Sequence, residues 1–252
     1  MGKTTLAGLL ARVYSAAGNR VIAIDANPDA NLATALGISA SEAGSITPIA
    51  ELEDLIEERT GAKPGGMAPY FRLNPRVDDI PDRFAITRNN IKLLTMGTVK
   101  AGGGGCMCPE SALLRSLLTH LLLSRSEVVI MDMDAGLEHL GRGTAQGVDV
   151  LIVVVEPGSR SLQTAVAIRK LAQDIGIARL YLVGSKVQSD ADRQFILTSL
   201  ADFEVLGFIS YNPGIIEADR LGVGVFETAP EAVEEAKQIK QSLDSILRGE
   251  TS

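Results

Sequence analysis

The chain has 252 residues, 46% of them apolar and 22% charged, with a formal net charge of -7. That length supports one full hydrophobic core. The acidic balance, without any Lys/Arg run, excludes the electrostatic footprint of a nucleic-acid or membrane-surface binder.

In chain order, Leu6–Ala17 has the apolar period of a helix, Val21–Ile24 is a short β-branched run, and Leu52–Arg59 is helical again. From Gly61 to Asn90 the periodicity fails as Pro, Gly, Asp and Arg accumulate; the apolar stretch Ile91–Met96 and a glycine loop at Ala101–Gly105 follow. This predicts an irregular insertion at about 61–105, with a hairpin inside it. Beyond it, helix-period segments at Leu113–Leu123, Leu162–Ile175, Arg193–Leu200 and Ala232–Leu247 are interleaved with apolar runs at Val128–Ile130, Val150–Val155, Tyr181–Val183 and Val205–Ile209. The runs are too short for ordinary helices and read as strands buried on both faces. None approaches the roughly 18 residues of a membrane span. The alternation predicts an α/β fold, a mostly parallel sheet with helices on both faces, forming a single domain over residues 1–252.

Gly2-Lys3-Thr4-Thr5 before a helix is the second half of G-x-x-x-x-G-K-[ST], in which backbone N–H groups and a helix N-terminus hold phosphates. Lys3 would meet the β- and γ-phosphates and the Thr4 hydroxyl would bind Mg²⁺. Read alone, the same four residues also suit a plain helix cap. Val128–Asp132 is an apolar strand ending in a carboxylate, where a second Mg²⁺ contact belongs. Asp25, Asn27, Asp29 and Asn31 follow another strand at its C-terminal end, the edge at which open α/β sheets bind ligands.

Cys106 and Cys108 are the only cysteines. They are too few for a disulfide framework, so a reducing, cytoplasmic setting is expected. Thiols at i and i+2 after four glycines give two soft ligands suited to Zn²⁺, Ni²⁺ or Cu⁺, with coordination positions left over. Two chains facing across a symmetry axis would supply four thiolates, so the spacing predicts a homodimer as well as a metal. His120, inside an apolar helix, is read as a core or surface residue, and His139 as a hydrogen-bonding member of the loop after Asp132.

Taken together, Gly-Lys-Thr-Thr, Asp25-x-x-Pro28-Asp29-x-Asn31-Leu32, Cys106-x-Cys108, the segment from Asp132 through Ala135-Gly136, Glu138-His139-Leu140 to Thr144, and Val155-Glu156-Pro157 resemble the CooC-type ATPases. These are accessory proteins for nickel insertion into carbon monoxide dehydrogenase and members of the MinD-like group of P-loop proteins. The resemblance implies ATP and ADP as ligands with Mg²⁺, nucleotide-dependent dimerisation, and Ni²⁺ or Zn²⁺ held between subunits by Cys106 and Cys108, with carbon monoxide dehydrogenase as client. It also implies that Gly2, Lys3, Thr4 and Thr5 contact nucleotide, that Asp25–Asn31 is switch I, and that Asp132–Glu138 is switch II.

Where the sequence departs from the family, the expectations change with it. The family loop is Gly-Lys-Gly-Gly-Val-Gly-Lys-Thr-Thr after a short strand, and Met1 stands at its Val, so the first strand and half-loop are expected upstream of an assigned start. Asn27 occupies the place of the aspartate that orients the attacking water, and an amide is a poor proton acceptor. Ser185 replaces an asparagine that helps read the base, and Ser210 replaces a proline, which is expected to loosen the base pocket. Two other functional classes fit parts of the pattern: a non-catalytic, nucleotide-switched interaction protein of the MinD or ParA kind, and an electron-transfer ATPase with a cysteine-held iron–sulfur cluster.

Overall fold

Strand and helix alternate in the computed structural model of the chain, which describes residues 2–64, 70–98, 108–124, 126–134 and 142–249. Helix α1 (Lys3–Ala16) leads into β1 (Val21–Asp25), followed by two single-turn helices, α2 (Leu32–Ala35) and α3 (Ala40–Ala43), and by α4 (Glu53–Thr60). Then come α5 (Ile80–Phe84), the hairpin β2 (Ile86–Arg88) and β3 (Ile91–Thr95), α6 (Pro109–Ser124), β4 (Val128–Asp132) and α7 (Arg142–Ala145). The second half runs β5 (Leu151–Val155), α8 (Ser159–Ile175), β6 (Leu180–Val187), α9 (Asp190–Ser199), β7 (Glu204–Ser210), α10 (Pro213–Leu221), α11 (Val225–Thr228) and α12 (Pro230–Arg248).

Local chemistry sets the boundaries. The Ser189 side chain accepts the Asp192 N–H and caps α9, and Asn212 does the same for Gly214 ahead of Pro213 at the start of α10. Helices α8 and α12 end on Gly176 and Gly249, both at positive φ, where a side chain would be strained.

The strands form two sheets, ordered β2-β3-β1-β4 and β5-β6-β7, and every pairing except the β2–β3 hairpin is parallel. Successive side chains of β1 point to opposite faces. Val21 and Ala23 join a core with Leu6 and Leu10 of α1, Ile239 and Leu243 of α12, and Val183 and Leu206 of the second sheet. Ile22 and Ile24 pack on the other face against Leu113, Leu117 and Leu121 of α6. A third cluster joins β5 and β6 to α8 and α9 through Val153, Leu182, Ala165 and Ile196.

Two features differ from the sequence reading. The hairpin expected within 61–105 is present, but its second strand is an integral member of the sheet, since β3 pairs with β1 along its whole length. Strand β4 was expected to be buried on both faces like β1, yet Val128 to Met131 are all only half-buried. The cause is that, among the described residues, β4 has a neighbour on one edge only.

Candidate functional site

The strand C-termini carry the polar groups. Asp25 closes β1 and Asp132 closes β4, and the two are register partners, so both carboxylates sit at the same edge. Both are buried. Helix α1 starts beside them with Gly2 as its N-cap and no acidic residue in its first turn, leaving that helix end positive. Thr4 Oγ1 donates to Asp132 Oδ2 at 2.6 Å, tying the helix N-terminus to the strand end.

The two carboxylates have different surroundings. Asp25 Oδ1 accepts the Asn27 N–H at 3.1 Å and Oδ2 accepts the Leu32 N–H at 2.8 Å, so this side chain folds the 26–31 loop over itself. Burial still holds its carboxyl above the usual range, with those two backbone donors opposing the shift. Asp132 has one side-chain donor. Burial pushes its carboxyl up to about 6; Thr4 opposes the shift, Asp25 adds to it, Lys3 opposes it and Asp134 adds to it. A buried carboxylate with one hydroxyl on it and a lysine nearby is short of positive charge, and its oxygen donor set with Thr4 fits a hard cation such as Mg²⁺. Asn27 is half-buried in the same loop, with its side chain hydrogen-bonded to the Asp25 carboxylate, while Asp29 is exposed.

Gly2 lies against Ser185 at the end of β6. A Cβ on Gly2 would come within 2.3 Å of Ser185 Oγ, so a side chain here would force Ser185 to shift. Ser185 lines a cavity of about 60 Å³ together with Gly2, Thr5, Lys186, Tyr211 and Ile216. Lys186, near the end of β6, adopts a left-handed φ of 56° and pairs at 2.8 Å with Glu156, which directly follows β5. Ser210 does not loosen this region: its N–H and Oγ both bond to Glu235 of α12, at 3.0 and 2.6 Å. Glu235 was missed by sequence reasoning because it lies 25 residues away on a helix face that reads as solvated.

Cys108 is buried immediately before α6, and its thiol donates to Ser111 Oγ at 3.0 Å. Burial pushes the thiol pKa up. Cys106, Gly136, Glu138 and His139 lie outside the described residues. Among the described residues, no three His, Cys, Asp or Glu side chains gather as a metal site. Likewise no described helix is long and apolar enough to cross a membrane.

Residues 1–225 match the CobQ/CobB/MinD/ParA nucleotide binding domain. The chain belongs to this family. It is 47% identical over 243 residues to the carbon monoxide dehydrogenase accessory protein CooC of Rhodospirillum rubrum, covering 96% of this chain and 92% of that protein. That similarity places it among the CooC-type members of the MinD-like group. An ATP-binding protein of Methanocaldococcus jannaschii is 44% identical over 225 residues, 88% of this chain and 86% of that one. The fold matches the MinD cell division protein of Aquifex aeolicus with a TM-score of 0.67 at 17% identity, over 97% of this chain and 92% of that one. The MinD likeness concerns the fold alone.

Proposed function

We propose that the chain is a cytoplasmic, ATP-dependent metallochaperone that works as a homodimer and assists nickel insertion into carbon monoxide dehydrogenase. The observation that carries the nucleotide part is the 2.6 Å contact between Thr4 and Asp132, which joins a positive helix N-terminus to a buried strand-end carboxylate. In this reading Gly2, Thr5 and the α1 backbone N–H groups cradle the phosphates, and Lys3 neutralises the terminal ones. Thr4 and Asp132 hold Mg²⁺, which supplies charge neutralisation on the phosphate oxygens. Ser185 sits on the base side, and Asp25 shapes switch I through its bonds to Asn27 and Leu32. Asp29 stands exposed beside it as a further nucleotide contact.

The cargo is Ni²⁺ or Zn²⁺, bound by Cys106 and Cys108 of two chains. Each cysteine must lose its proton to bind, and burial of the Cys108 thiol opposes that loss. Nucleotide-driven closure that brings four thiols together would supply the missing stabilisation, coupling metal capture to the dimer. Titrating the purified protein with Ni²⁺ and with Zn²⁺, with and without ATP, is expected to give about one ion per dimer in the ATP form. Cys106→Ser and Cys108→Ser should each abolish it; undiminished binding in those variants refutes the metal role.

Asn27 favours a second reading, a nucleotide-switched interaction protein without turnover. Its amide orients water but accepts a proton poorly. Phosphate release separates the two, since the switch reading requires ATP binding with no multiple turnover.

A further inference from the structure

Helix α6 carries an inward stripe with the period of a buried helix: Leu113, Leu114, Leu117, Leu118 and Leu121 all join the core formed with Ile22, Ile24 and Leu94 of the first sheet. The same stripe begins at Glu110, three residues before Leu113 and four before Leu114. Packing alone calls for a leucine there. Glu110 is nevertheless 6% exposed, as buried as Leu114 behind it. Its Oε2 is sealed from water and accepts no hydrogen bond, and among the described residues no cationic side chain pairs with the carboxylate.

The helix itself does not account for this side chain. A capping box needs its acidic residue at the third helical position, and that place belongs to Ser111, since α6 starts at Pro109. The positive end of the helix favours a carboxylate in the first turn, but it does so for an exposed one as well and gives no reason for burial. A buried, unpaired carboxylate is costly, and a ligand of positive charge is what offsets that cost. Its surroundings say where such a ligand sits. Burial first, and then the Glu110 carboxylate through its charge and as a hydrogen-bond acceptor, push the Cys108 thiol pKa up against the opposing Ser111 contacts, so the carboxylate and the sulfur are neighbours.

We propose that Glu110 is a direct ligand of the metal ion that Cys108 binds, so that the start of α6 offers a carboxylate oxygen beside the Cys108 sulfur. This rests on the metal reading of Cys108 given above and adds oxygen to a donor set otherwise made of thiolates. On binding, the thiol proton passes to water, the Cys108 bond to Ser111 is given up, and Sγ and a Glu110 oxygen take the ion. The ion then supplies the charge that Glu110 lacks. Two donors from one chain do not close a site, in keeping with the absence of any group of three among the described residues, and a second copy supplies the remainder. The oxygen also sets selectivity. Thiolates alone suit Cu⁺ as well as Zn²⁺ and Ni²⁺, whereas a hard carboxylate beside a thiolate favours the divalent ions.

Glu110→Gln tests this, because the amide keeps the shape of the side chain and loses its charge and its affinity for metal ions. With ATP present, the variant is expected to bind Zn²⁺ and Ni²⁺ at least ~10-fold more weakly than the parent and Cu⁺ within about threefold of it. Difference infrared spectra on Zn²⁺ binding should contain carboxylate stretching bands that Glu110→Gln lacks. In the metal-free state the variant should unfold at least about 3 °C above the parent, since the unpaired buried charge is gone. Unchanged Zn²⁺ and Ni²⁺ affinity, identical infrared bands in parent and variant, an equal loss of Cu⁺ binding, or a lower Tm in the metal-free variant overturns the proposal. Cys108→Ser separates it from the reading on which it rests. If Cys108→Ser loses all three ions while Glu110→Gln keeps them, only the role of Glu110 fails; if Cys108→Ser binds them undiminished, the metal reading fails and this inference with it.

Discussion

Asp132→Asn is expected to raise the Tm of the nucleotide-free protein at pH 7.5 by about 5–10 °C while reducing Mg²⁺-dependent ATP hydrolysis at least ~100-fold. The two effects have one origin. The Asp132 carboxyl titrates at about 6 in the folded chain against 3.8 for a free aspartate, chiefly because of burial. Between those values the folded state holds a proton that the unfolded state has released, so stability falls as pH rises from about 4 through 6 and is flat above. The burden at neutral pH is on the order of 2–3 kcal/mol. An amide removes it and still offers Thr4 an oxygen to donate to. Calorimetry at pH 4.5 and 7.5 checks the sign: the variant's advantage should be present at 7.5 and nearly gone at 4.5. A variant less stable than the parent at pH 7.5 would mean that the Thr4 bond outweighs the burial cost. Retaining a destabilising carboxylate makes physical sense only if a cation stabilises it when ligand is bound, a trade of stability for function.

The fold was legible because its strands are short β-branched runs and its helices have a 3.6-residue period; five strands and six long helices were placed within a few residues. Less visible were the elements defined by partners rather than pattern. β3 read as part of an irregular segment because Pro and Gly crowd the chain before it, and only its pairing with β1 makes it a core strand. Asp132 was legible as a strand-end carboxylate, but its contact with Thr4 spans 128 residues and has no local signal. Asp25 was placed at the site by its position at the C-terminal end of the first apolar run; that its carboxylate is taken up by two backbone N–H groups depends on how the 26–31 loop folds. The half-burial of β4 is the plainest case. Its sequence, Val128-Val129-Ile130-Met131, specifies burial on both faces, and the burial it receives depends on what occupies its outer edge.

Two isoleucines on neighbouring strands turn that last point into a measurement. Ile24 is fully buried, lies between Leu94 and Met131 in register, and packs in the cluster formed with α6. Ile24→Ala is expected to destabilise the protein by about 4 kcal/mol, the transfer of the lost methyl groups plus the cavity left in a core that cannot collapse around it. In Tm that is a fall of about 10 °C. Ile130, opposite Ala23 on β4, is only half-buried, so Ile130→Ala should cost about 1–2 kcal/mol because water already reaches part of its side chain. Urea unfolding of both variants gives the comparison directly, with the slope as a check that the denatured state is unchanged. A small cost at Ile130 beside a large one at Ile24 means that the outer edge of β4 is open in solution.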